Sequence, residues 1–153
     1  EYDVKLPGHN YRCTEITAAL GLAQLEKLPA SNSRRRELTS FYANLLAEDP
    51  RYKVLVPPVD QTESACHIMS LLCESPELKS HVLNTLTREE IQTSHHYTPI
   101  HTFTWYRENI APPFPSGANS IEYSSRQITL PLYPGLKNDQ VKEITEILKS
   151  VPA

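Results

Sequence analysis

Residues 16–28, ITAALGLAQLEKL, constrain the fold more than any other stretch, because their apolar side chains do not make a single stripe. On a helix, Ile16, Ala19, Leu20 and Ala23 cover one face while Ala18, Leu22 and Leu25 cover another. A helix of this kind needs cover on two sides, one from its own domain and one from a second surface. Thr14 can cap it, Glu15 offsets the positive charge of its first turn, and Pro29 is expected to stop it. Directly before it lies GHNYRC, rich in hydrogen-bonding side chains. Asn10 offers an amide with two donors, Arg12 a fork suited to phosphate or carboxylate, and Tyr11 a ring between them, a set that suits an anion. The same residues fit a plainer role, with Asn10 tightening a turn after Pro7 and Gly8 and Arg12 lying along the helix. Spacing alone leaves both open.

The rest of the chain sets the scale of that problem. Its 153 residues, 39% hydrophobic with a net charge of -3, fit one globular domain or one piece of a larger one. The balance is not basic, which argues against a nucleic-acid partner, and no apolar run approaches the roughly 18 residues of a membrane span. Glu1 in place of methionine, with no leader after it, marks a chain expected to start inside a longer protein. Cys13, Cys66 and Cys73 are odd in number and lack CxxC spacing, so a reducing cytoplasm is expected and a disulfide framework is not.

Periodicity places a second helix at 33–48, with Leu38, Phe41, Tyr42 and Leu45 on one face and Arg34, Arg35 and Arg36 on solvent. Strands are expected at 52–56 and 65–73, the second nearly continuous in apolar residues and therefore central. A helix follows at 77–86. Residues 91–97 read as a strand, although Thr87 with Glu90 also spells a capping box. Further on, PIHTFTWYREN suggests a short aromatic helix, 116–127 a helix with Ile121 and Tyr123 inward, 128–132 a strand, and 138–151 a helix with Val141, Ile144, Leu148 and Val151 in one stripe. This order describes an α+β layer, a small sheet with helices packed on it.

Chemistry-bearing clusters are few. His95, His96 and His101 fall within SHHYTPIH, but adjacent strand residues point to opposite faces, and no cysteine or carboxylate stands at ligand spacing nearby, so no metal site is assigned. Cys66 beside His67 lies in a buried-looking strand, where a thiol stays protonated and acts as a small hydrophobe. With four glycines there is no P-loop, GxGxxG or GxSxG.

Three motifs in order, GHNYRCTEITAALGLAQLEKL, HHYTPIH and LPLYPGL followed by an amphipathic helix, resemble the C-terminal portion of the DegT/DnrJ/EryC1/StrS family, sugar aminotransferases dependent on pyridoxal phosphate. The resemblance implies the small C-terminal domain of a fold-type-I aminotransferase, with residues 1–30 as an interface loop and helix, 31–153 as a small α+β domain, and the large cofactor-binding domain absent. It also implies a homodimer that moves an amino group from glutamate to a nucleotide-linked keto sugar. Asn10 matches the motif asparagine and would reach the cofactor phosphate of the neighbouring subunit. Arg12 would meet the donor's carboxylate, and His96, Tyr97 and His101 would line the substrate end. Many relatives carry GIGTG before the histidine, where this chain has Glu90, Gln92 and Ser94 in place of the glycines. In the family, the lysine that links the cofactor and the aspartate that pairs with its ring nitrogen belong to the N-terminal domain, and Lys5 lies too close to the NYR motif to match that lysine. No catalytic residue is therefore assigned, and the chain alone is expected to be inactive. Relatives with histidine in the lysine's place dehydrate deoxysugars, and a non-catalytic interaction domain is a further alternative.

Overall fold

The computed structural model describes Leu6, residues 8–9, 11–55, 64–110 and 117–152. The chain divides into two compact units, Glu1–Ala30 and Ser31–Ala153.

In the first unit Thr14 caps the helix as its position predicts. Its hydroxyl accepts from the Thr17 N–H at 3.2 Å, and its carbonyl accepts from Ala18 at 2.9 Å. Ile16, Leu20, Leu22, Leu25 and Leu28 are all exposed. The expected stop at Pro29 does not occur: α1 runs from Glu15 to Leu46 with Pro29 inside it. A proline removes one i to i−4 hydrogen bond and crowds the preceding turn, a cost of about 3 kcal/mol. Alanine, leucine and charged helix formers before it, and Arg34 to Leu38 after a short Ser-Asn-Ser stretch, carry the helix through it.

The second unit is built on a three-stranded antiparallel sheet in the order β1-β2-β3, with β1 at Tyr52–Val54, β2 at Met69–Cys73 and β3 at Gln127–Leu130. Tyr52 faces Cys73, Val54 faces Leu71, and Met69 and Leu71 face Leu130 and Ile128. These residues make one face apolar and, except for the half-buried Val54, buried, against Leu38, Tyr42 and Leu46 of α1, Leu78, Val82 and Leu86 of α2 (Pro76–Arg88), and the stripe of α5 (Asn138–Ser150). That stripe is the expected one. Val141, Ile144 and Leu148, with Val151 just beyond, are buried, and at roughly 1.5–3 kcal/mol for each large side chain they outweigh the exposed α5 pairs Lys142–Asp139 and Lys149–Glu146.

The central strand is shorter than its apolar run suggests. Cys66 is buried but sits at φ 42°, a left-handed conformation that a pleated ladder cannot include, so pairing begins at Met69. The strand expected at 91–97 reduces to one bridge, between Ser94 and Thr129. The residues before it are taken by the end of α2. Glu90 N–H bonds the Thr87 carbonyl at 3.2 Å and Ile91 N–H the Leu86 carbonyl at 2.8 Å, a Schellman closure with Glu90 at φ 57°. Thr87 therefore ends a helix and does not begin one, its hydroxyl donating to the Leu83 carbonyl at 2.7 Å.

The aromatic segment forms a 3-10 turn, Ile100–Thr102, and α3, Thr104–Asn109. In α4, Ala118–Arg126, Tyr123 turns inward but Ile121 is exposed. Two positions apart lie roughly 200° round a helix, so both cannot face one layer. Nor are the three arginines all solvated: Arg34 donates to the Leu136 carbonyl at 2.9 Å and to Asn138 Oδ1 at 2.8 Å, and Arg36 to the Ser64 carbonyl at 3.1 Å. Among the described residues no helix is long and apolar enough to cross a membrane.

Candidate functional site

The second face of the sheet is polar, and a hydrogen-bond network runs over it. Strand alternation puts Ser70 opposite Thr129, with Gln127 two residues before Thr129 on the same face. Gln127 is fully buried, so each of its amide hydrogens needs a partner. Its Nε2 donates to Ser70 Oγ at 3.1 Å and to Thr129 Oγ1 at 2.8 Å, and its Oε1 accepts from the His96 backbone N–H at 3.1 Å. Tyr123 of α4 closes one end with its hydroxyl 2.8 Å from Ser70 Oγ. His96 closes the other, its Nδ1 2.8 Å from Thr129 Oγ1.

His96 stands between this network and a cavity of about 580 Å³. The cavity is also lined by His67, Gln92, Tyr133, Gln140 and three carboxylates, Glu89, Glu90 and Glu143, with no lysine or arginine in its wall among the described residues. The site therefore offers hydrogen-bonding groups and negative charge. It suits a neutral or cationic polar molecule and disfavours an anion.

The neighbouring histidine goes elsewhere. His95 Nε2 lies 3.0 Å from Ser124 Oγ, and the Ser124 carbonyl accepts from the Lys79 ammonium at 2.9 Å, whose partial burial lowers its pKa. The rings of His95 and His96 thus turn to different side chains, Ser124 and Thr129, although both residues also meet Gln127 and the reason is not strand alternation. Cys73 lies under the sheet, and burial pushes its thiol up to about 11.

The sequence profile of the DegT/DnrJ/EryC1/StrS aminotransferase family matches residues 1–149. The chain belongs to this family. Among its relatives is the spore coat polysaccharide biosynthesis protein SpsC of Bacillus subtilis, 28% identical over 98% of this chain and 39% of that protein. The dTDP-4-dehydro-2,3,6-trideoxy-D-glucose 4-aminotransferase of Saccharopolyspora spinosa is 32% identical over 86% of this chain and 33% of that protein. The PLP-form structure of the putative sugar aminotransferase Spr1654 from Streptococcus pneumoniae superposes with a TM-score of 0.83 at 27% identity, over 100% of this chain and 40% of that one. The chain spans about 40% or less of the length of each.

Of the family's motif residues, the structure brings His96 to the cavity wall. Tyr97 is exposed and stacks edge-on against the His96 ring, with centroids 4.6 Å apart. His101 lies against Gly117 at the start of α4, where a Cβ would fall 2.5 Å from its ring and where φ is 59°. Tyr97 and His101 are not among the residues that line the cavity. Arg12 is exposed in the first unit, and Asn10 lies outside the described residues. Pyridoxal phosphate requires cationic or N–H-rich surroundings for its phosphate and an amine for its aldehyde. Among the described residues the lining of the cavity beside His96 holds neither a lysine nor an arginine, and three carboxylates stand in it, so it does not fit that cofactor. Gln127, Thr129, Ser70 and Tyr123 were not apparent as site residues from sequence. The available signal was slight: Gln127 and Thr129 at alternate positions of β3, and Ser70 as the one polar residue of β2.

Proposed function

We propose that this chain is the substrate-side part of a pyridoxal-phosphate-dependent aminotransferase that moves an amino group from glutamate to a nucleotide-linked keto sugar. The observation that carries the reading is the family match over residues 1–149 together with a motif histidine, His96, held at the wall of a polar cavity with no lysine or arginine among its described lining residues. In this reading the cavity takes the sugar, whose hydroxyl and keto oxygens need donors and not counter-charges. Asn10 donates to the cofactor phosphate of a neighbouring subunit in a homodimer, Arg12 takes the donor's carboxylate, and Tyr97 and His101, which do not line the cavity, flank the part of the substrate that lies outside it. The cofactor supplies the electron sink when bound, and the residues that link it belong to the part of the relatives this chain does not span. Three free cysteines fit a reducing compartment, the cytoplasm.

The test is kinetic, on the complete protein that contains this chain, with glutamate and a dTDP-linked 4-keto sugar. His96→Ala removes one neutral hydrogen bond to the sugar, worth about 0.5–1.5 kcal/mol, so KM for the sugar should rise roughly two- to tenfold while KM for glutamate stays unchanged. An unchanged sugar KM, or no amino transfer to any nucleotide-linked keto sugar, contradicts the reading.

A further inference from the structure

We infer that Gln127 and Thr129 are positioning residues that set the tautomer of His96, so that its ring presents an N–H at Nε2 to the cavity. The inference deepens the proposed function and rests on its reading of the cavity as the sugar end. Each donor and acceptor follows from the one before. The His96 backbone N–H can only donate, so the Gln127 atom 3.1 Å away is the amide oxygen. Both hydrogens of Gln127 Nε2 are then committed, one to Ser70 Oγ and one to Thr129 Oγ1. Thr129 Oγ1 thus accepts from Gln127 and has a single hydrogen of its own to place. Its other partner among the described residues is His96 Nδ1 at 2.8 Å. Thr129 is buried, so leaving that hydrogen without an acceptor is costly, and Nδ1 accepts it. In a neutral imidazole the proton then resides on Nε2, on the opposite side of the ring.

The consequence is chemical selectivity. A ring that shows an N–H recognises an oxygen acceptor, such as a sugar hydroxyl or keto oxygen. The three carboxylates in the same wall discourage phosphate or carboxylate as that acceptor. The geometry also explains a fully buried glutamine in a strand, a residue with no apolar contribution to make. It orients the threonine, and the threonine orients the histidine.

The experiment reads the tautomer directly, by long-range proton–nitrogen correlation spectra of the isotope-labelled chain at a pH where His96 is neutral. The native chain should show a protonated Nε2 and a bare Nδ1 for His96. Thr129→Val keeps the β-branched shape and removes the hydroxyl, so the tautomers should mix, with a detectable Nδ1–H population. Thr129→Ser should restore the native pattern. Gln127→Glu should reverse it, because a carboxylate accepts the Thr129 hydrogen and leaves the hydroxyl to accept from Nδ1. Amide spectra report whether each variant folds, and the native and serine chains suffice if the buried carboxylate does not tolerate folding. A native chain with the proton on Nδ1, or a Thr129→Val chain with an unchanged pattern, overturns the inference whatever the protein's substrate. A native pattern as expected, combined with a sugar KM that ignores His96→Ala, rejects the reading of the cavity and not the tautomer relay.

Discussion

Glu90 shows how one residue can be read correctly in kind and wrongly in place. With Thr87 it spells the start of a helix, yet it occupies the left-handed position that ends α2, at φ 57°. An L-residue in that conformation costs about 1–2 kcal/mol, partly offset by its smaller backbone entropy loss of about 0.5–1 kcal/mol. Glu90→Gly should therefore stabilise the chain by about 0.5–1 kcal/mol, seen as a higher urea midpoint at unchanged slope. A lower midpoint would mean that the Glu90 side chain makes a stabilising contribution larger than the strain. His96, which lines the cavity, stands in a motif that the sequence singles out. Gln127 and Thr129 were not legible, because their importance depends on which strand lies opposite them, and periodicity within one segment does not encode that.

Elements with a strong single stripe, such as α5, were legible because burial of one apolar face decides where they dock. The interruption expected at Pro29 was misjudged because a proline's cost is local, whereas the helix-forming preference of the residues on both sides of it adds up along the run. The C-terminal end of α5 shows a device that spacing does not reveal. Arg51 donates to the Lys149 carbonyl at 3.1 Å and to the Val151 carbonyl, and pairs with Asp49 at 2.6 Å. A cation there meets the negative end of the helix dipole. The hydrogen bond from Arg51 holds the Asp49 carboxyl below its ordinary value of 3.8. The unfolded chain then binds more protons than the folded one between those two values. The stabilisation is complete above about pH 4 and is lost as pH falls through the folded value. Acid titration of stability should show that loss in the native chain and a shallower one in Asp49→Asn. Equal slopes below pH 4 would remove Asp49 from the acid response. Arg51→Ala should destabilise more than Asp49→Asn at neutral pH, because it also releases two carbonyls at the end of α5, those of Lys149 and the capping Val151.

At the scale of the molecule, the α+β class and the packing of helices on a small sheet followed from the alternation of apolar runs, and the family followed from three motifs in order. The two apolar faces of residues 16–28 were equally legible, and they remain exposed in the described structure. A surface of that kind, next to a loop with an amide and a guanidinium, is the physical basis for placing the opening segment against another subunit. The central claim is that Asn10 serves a neighbouring subunit's cofactor phosphate. In the complete protein, Asn10→Asp exchanges donors for a negative charge facing phosphate, so cofactor affinity should fall about tenfold or more, since a charge-assisted hydrogen bond of roughly 1.5–3 kcal/mol is lost. The most direct measurement mixes Asn10→Asp subunits with subunits lacking the cofactor-linking lysine. Each mixed dimer then holds one site with an intact lysine from one subunit and an intact Asn10 from the other. Activity should reappear in the mixture although neither parent has much. Mixed dimers that form and stay as inactive as their components would contradict the claim.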